Sequence, residues 1–308
     1  MGTFQKGTVL STKILFFCAF FLSLYIATSS YALRLNQRPT DVILIGWDGA
    51  QLNHVKECLK RGELPNLKKL SSEGSFVSIE VTGHQTQTEP GFAQILTGYK
   101  SETSGIRANG DCKVIPEGYT IFERLENHFG HDKFVTVALI NKDSRLNCTA
   151  DNSPYYNAAL AANVFRNGLG DDQKVADEAV TLLREYKDKP FFFFLQFSAP
   201  DKNGHNFDEN SQQYNDALIY CDKLLGEVIR ELKSLNIYDR IIVYVTSDHG
   251  FTENATGHGY APYVFMATND HRKIRGGFQS DIAPTVLDRF GVDLKKVSPP
   301  LDGRPLTK

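Results

Sequence analysis

The sequence predicts an α/β fold, a mostly parallel central sheet with helices on both faces in a single domain, and three features carry that prediction. Three short runs, Val42 to Ile45, Phe191 to Phe197 and Ile241 to Val245, are almost continuously apolar. Strands of a parallel sheet look like this because both of their faces are covered. Segments with helical periodicity separate the runs, as βαβ units require. Each run is followed within a few residues by an aspartate: Asp48, Asp201 and Asp248. Open parallel sheets bind ligands just beyond the carboxyl ends of their strands.

In chain order, Lys6 and Lys13 precede an apolar stretch from Ile14 to about Ala27, and Ser30 and Ala32 are small residues at the spacing of a signal-peptidase site. The stretch is shorter than the ~20 residues that span a bilayer. Residues 1–32 are therefore expected to be a cleaved signal peptide and residues 33–308 the mature domain, secreted and without stable membrane insertion. After the first strand, Leu52 to Lys60 is amphipathic and predicts a helix. Phe76 to Val81 alternates as a half-buried strand does, and Thr82 to Gly91 is a hydroxyl-rich turn former. Tyr119 to Asn127 predicts a helix, Phe134 to Ile140 a strand and Gln173 to Tyr186 a helix. The phenylalanine-rich strand comes next, then a long helix from Ser211 to Leu235. Beyond the last of the three runs, Tyr263 to Ala267 predicts a strand and Asp281 to Phe290 a helix.

The 308 residues carry a formal net charge of −2 and 41% hydrophobic residues, enough for a substantial core and no reason to expect a nucleic-acid partner. An exported chain can keep disulfides. Without Cys18, four cysteines remain, which allows three complete pairings. Cys221 lies on the apolar stripe of the long helix and is expected to be a buried thiol. Cys112 and Cys148 lie in polar segments and are the expected pair. Asn147 to Thr149 and Asn254 to Thr256 are glycosylation sequons.

One strand ending in Asp would be unremarkable. Three of them bring Asp48, Asp201 and Asp248 to one sheet edge together with His205, His249 and His258, and carboxylate with imidazole is a donor set for zinc and similar divalent ions. Six such groups make a two-metal constellation.

At this point the chain resembles the alkaline phosphatase superfamily, in particular its nucleotide pyrophosphatase/phosphodiesterase branch. The resemblance rests on Gly46 to Gly49, Thr88-Glu89-Pro90, Thr97-Gly98-Tyr99, Gly105 to Asn109, Asp201 to His205, Ser247 to Gly250, His258-Gly259-Tyr260 and the tail from Ser280 to Leu306, all in family order. It implies Thr88 as nucleophile, with Asp48, Thr88, Asp248 and His249 around one ion. Asp201, His205 and His258 would hold the other ion, and Asn109 would donate to a phosphate oxygen. Thr86 is displaced by two residues from the nucleophile's place. Gln87 stands where the branch often has Lys, and Gly91 where it often has Asn.

The expectation is a secreted hydrolase of small phosphate esters, using two divalent ions, zinc foremost, and a phospho-threonine intermediate. Phosphomonoester or phosphonate hydrolysis on the same site is the alternative, and a degenerate metal-binding protein is the reading outside enzymes. A sulfatase would need Cys or Ser at the nucleophile, then Pro two and Arg four residues later; Thr88 leads to Pro90 and Phe92. Diesters are expected ahead of monoesters, because no Arg or Lys in the sequence clearly matches a group for the extra charge. His84 and Arg107 lie near enough in sequence to touch a substrate.

Overall fold

The computed structural model describes residues 41–110, 114–142 and 161–307. The expected signal peptide, the Cys112–Cys148 pair and the sequon at Asn147 lie outside the described residues.

Eight strands form one sheet: β1 (Asp41–Trp47), β2 (Ser75–Glu80), β3 (Val135–Ile140), β4 (Val164–Arg166), β5 (Phe191–Phe197), β6 (Ile241–Thr246), β7 (Tyr263–Thr268) and β8 (Gly277–Phe278). Their order is β4-β3-β5-β1-β6-β7-β2-β8. Every pairing from β4 to β6 is parallel, and β7 alone runs against its neighbours. The three runs read as buried strands therefore lie side by side at the centre, with β1 between β5 and β6.

Alternate side chains of each central strand enter opposite cores. Ile43, Ile45, Phe191, Phe193 and Val243 face one core, closed by helices Leu52–Arg61, Pro65–Glu73, Asp172–Tyr186 and Gln212–Ser234. Val42, Leu44, Phe192, Phe194 and Tyr244 face the other, closed by Thr88–Thr97, Ile121–Phe129 and Ile282–Phe290. Helices thus cover both faces, as the sequence predicts. Cys221 is a buried free thiol in the first core, and Cys58 is another. No helix among the described residues is long and apolar enough to cross a membrane.

Two helices depart from the sequence reading. The turn expected over Thr82 to Gly91 ends early, because Thr88 starts a helix that runs to Thr97. That helix is buried at all ten positions, so it has no polar face and no periodicity to reveal it. Gly91 is required there: a Cβ would sit 2.6 Å from the Asp248 carbonyl oxygen. Likewise Ala199–Phe207 is a helix although Pro200, Asn203 and Gly204 read as breakers. Pro200 falls in the first turn, where its missing N–H is not needed. Gly204 makes room for the Phe251 ring, which a Cβ would meet at 2.4 Å.

Candidate metal centre

The carboxyl ends of β1, β5 and β6 deliver two groups of side chains. Asp48, Asp248 and His249 place their ligand atoms within 4.8 Å of one another, and so do Asp201, His205 and His258. Asp48 is the first residue after β1, and Asp248 and His249 follow β6. The strand order makes them neighbours across the sheet edge. Asp201 and His205 sit four apart on the helix after β5 and so share one face of it.

The hydrogen-bonding of the three imidazoles is uniform. His249 Nδ1 lies 3.0 Å from the Gly250 carbonyl, His205 Nδ1 2.7 Å from that of Thr256, and His258 Nδ1 contacts that of Thr86. A carbonyl only accepts, so Nδ1 carries the hydrogen and a neutral ring presents a bare lone pair at Nε2. Burial lowers His249 and His258 to about 4, which keeps both neutral near pH 7. Yet His249 Nε2 lies 3.4 Å from Asp48 Oδ1, 3.5 Å from Asp248 Oδ2 and 3.6 Å from Asp201 Oδ1. Those same three carboxylate oxygens are buried without a hydrogen-bond partner. His258 Nε2 and His205 Nε2 stand 3.1 Å apart. Around the fully buried His249, a lone pair facing carboxylate oxygens is unfavourable unless a cation lies between them. These donors fit divalent ions, and ligating histidines usually anchor their second nitrogen in this way.

Behind the ligand atoms, each carboxylate has a second partner. Gln196 Nε2 donates to Asp48 Oδ2 at 2.8 Å, and Lys142 Nζ lies 2.9 Å from the same oxygen while also contacting Asp201 Oδ2. Gln196 Oε1 in turn accepts from the backbone of Asn141 and Lys142. Asp172 accepts from the Ser198 and Ala199 amides and so ties down the helix that carries Asp201 and His205. The Oδ2 atoms of Asp48 and Asp201 are thereby held, and the Oδ1 atoms turn to the imidazoles. Burial opposes the charge on Lys142, but Asp48 and Asp201 outweigh it and hold the ammonium above its ordinary range. Burial opposes ionisation of Asp201 too, and is outweighed by His205, Lys142 and His249, which hold it below the usual carboxylate range. Asp48 and Asp248 are pushed up, mainly by burial. The Asp201 carboxylate, 3.4 Å from its Nε2, holds His205 above its usual range.

Thr88, 2% exposed at the start of its helix, places Oγ1 3.2 Å from His249 Nε2. Asn109 is fixed against the same helix start: its Oδ1 accepts from Glu89 N at 3.0 Å and its own N–H donates to Gln87 Oε1 at 2.8 Å. Thr86 Oγ1 is spent on the His258 backbone carbonyl, and it is the Thr86 carbonyl that orients the His258 ring. His84 turns to Gln279 at 3.0 Å and joins neither ligand group, and Arg107 is exposed. The sequence reading missed Lys142, Gln196 and Asp172. Lys142 was within reach of it, because it follows the β3 run by two residues at the same sheet edge.

Residues 42–283 match the family described as type I phosphodiesterase / nucleotide pyrophosphatase. The chain is 23% identical over 222 residues to bis(5'-adenosyl)-triphosphatase ENPP4 of Homo sapiens, covering 70% of this chain and 48% of that protein. It is 22% identical over 227 residues to ectonucleotide pyrophosphatase/phosphodiesterase family member 7 of Rattus norvegicus, covering 70% and 51%. It therefore spans about half the length of the curated relatives it matches. A solved structure of a putative sulfatase from Bacteroides thetaiotaomicron superposes with a TM-score of 0.68 at 14% identity, over 88% of this chain and 74% of that one. A 2-O GAG sulfatase superposes at 0.66, also at 14% identity, over 88% and 73%. Likeness at that identity establishes the shared fold alone. With the family match spanning most of the described sheet and both ligand groups, the chain belongs to the type I phosphodiesterase / nucleotide pyrophosphatase family.

Proposed function

We propose that this chain is a secreted, metal-dependent hydrolase that cleaves phosphodiester or pyrophosphate bonds through Thr88. The observation that carries the reading is the Thr88 hydroxyl, buried at a helix start, 3.2 Å from His249 Nε2 and beside three carboxylate oxygens that lack partners. One ion would be held by Asp48, Asp248, His249 and Thr88, the other by Asp201, His205 and His258, and the mixed donor set favours zinc. When bound, such ions supply the positive charge that ionises the threonine hydroxyl and a water and that neutralises the phosphate.

The chain's own groups do the rest. Thr88 Oγ forms the bond to phosphorus while the bond to the leaving oxygen breaks, the electron pair departing with that oxygen. Water then cleaves the phospho-threonine, restores the hydroxyl and releases a phosphate monoester. At the start of the Thr88–Thr97 helix the Glu89 amide is taken by Asn109 and Pro90 has no N–H, so the helix offers an anion its dipole rather than a row of free amides. Asn109, its Oδ1 already committed, offers the Nδ2 hydrogens to a phosphate oxygen. Lys142 is engaged by Asp48 and Asp201 rather than aimed outward, which leaves the expected order of diester over monoester in place. The human relative's name adds dinucleoside polyphosphates to the substrates worth offering.

The deciding experiment compares rates on p-nitrophenyl phosphate, bis-p-nitrophenyl phosphate and a nucleotide p-nitrophenyl ester with the zinc-loaded protein. Diester cleavage should lead. A monoester rate ten times the diester rate would reassign the chain to phosphomonoester chemistry.

A further inference from the structure

The helix that opens on Thr88 is not capped by the residue before it. Gln87 lies in extended backbone at that position, and its side chain makes no hydrogen bond to the first turn. A short polar side chain usually stands there, because it can reach the amides two or three residues on. Here the Glu89 amide donates instead to Asn109 Oδ1 at 3.0 Å, in a turn 20 residues further along the chain. The Gln87 side chain reaches the same turn, where its Oε1 accepts the Asn109 backbone N–H at 2.8 Å. The Glu89 carboxylate accepts the next one, from Gly110, also at 2.8 Å.

The two residues that flank Thr88 therefore hold Asn109 by its main chain, its side-chain oxygen and its successor. Asn109 is half-buried and Gly110 exposed, so water could have satisfied both amides. Three bonds from one helix start restrict the turn instead. A side-chain amide is planar, so fixing Oδ1 and the main chain also fixes the direction of Nδ2. Thr88 Oγ1 and Asn109 Nδ2 thus belong to one hydrogen-bonded unit. We infer that Gln87 is a positioning residue that acts through Asn109, holding the Nδ2 donor where a phosphate oxygen lies when Thr88 attacks. The inference rests on the proposed hydrolysis and deepens it by naming what aims the donor. An aimed donor of this kind is worth about 10²-fold in rate. Releasing one restraint while the donor remains should cost about tenfold, within the range for coupled neighbours.

The test is a double-mutant cycle on the zinc-loaded protein with bis-p-nitrophenyl phosphate. Asn109→Ala should lower kcat/KM about 10²-fold. Gln87→Met keeps the length of the side chain and loses the acceptor. It should lower kcat/KM about tenfold in the wild-type background and change nothing once Asn109 is alanine. Gln87→Ala removes the same acceptor and should give the same pattern. An equal loss in both backgrounds, or no loss in either, would overturn the inference, because Gln87 would then act elsewhere or not at all. Hydrogen exchange of the Asn109 amide, followed by NMR, is independent of turnover, and both Gln87 variants should speed it. Unchanged exchange would remove the contact on which the inference stands. If the wild type protects that amide yet cleaves no diester, the hydrolase reading falls; the contact then belongs to the fold alone, and the positioning role is overturned with it.

Discussion

The two ligand groups use nearly the same chemistry in opposite surroundings. Asp48, Asp248 and His249 are sealed from solvent, with 0% exposure each. In the other group the His205 side chain is 44% exposed and that of His258 12%, while Asp201 stays covered. The sealed group holds the threonine hydroxyl, where a fixed geometry and low dielectric strengthen every charge interaction. The open group is the one that solvent reaches. Under the proposed function, one half of the centre would hold the nucleophile and the other would exchange its contents.

The sharpest way to break this comparison is at Thr88. Thr88→Ala should lower turnover on the order of 10⁴-fold, since a covalent nucleophile is lost, while metal content measured after dialysis is unchanged. Thr88→Ser should recover part of the rate, because only a methyl group is removed. Near-normal turnover in the alanine variant would shift the nucleophile to water.

Next in size come the ligands. Asp248→Ala should empty the sealed group and abolish activity. His205→Ala should release only the open ion and leave the other bound, which elemental analysis of both variants would resolve. Equal losses would show that the two groups bind as one unit.

Gln196 tests how the sealed group is oriented. Its amide fixes Asp48 Oδ2 from inside the sheet, and Gln196→Leu should weaken zinc binding about 10- to 100-fold, the usual effect of removing a partner behind a ligand. Competition with a chromogenic chelator gives the value. The smallest effect concerns rates of stripping. A chelator should remove the ion of the open group faster than that of the sealed one, so activity should fall in step with the first ion lost and return on adding zinc. Release of both ions in a single phase would contradict the difference in exposure.

Much of this was legible in the chain. The buried strands announced themselves because a parallel strand covered on both faces is apolar without a break, and the phenylalanine-rich strand spans Phe191–Phe197 as read. The convergence of the candidate ligands was legible because strand ends at one sheet edge meet whatever lies between them in sequence. The Thr88–Thr97 helix was hidden by being buried on every side, and the Ala199–Phe207 helix by Pro200 and Gly204, whose demands are met locally.

By itself, the sequence determined the α/β alternation, the sheet edge of the candidate site and the set of carboxylates and imidazoles there, since these follow from hydrophobic pattern and side-chain chemistry along the chain. The grouping of aspartates with histidines was already implied by the family resemblance; its physical basis, β1 lying between β5 and β6, came from the tertiary structure. It alone sealed one group and opened the other, and it alone placed Gln196 and Lys142 behind Asp48. Those contacts join residues 148 and 94 positions apart, a separation at which no local pattern in the chain carries information about the partner.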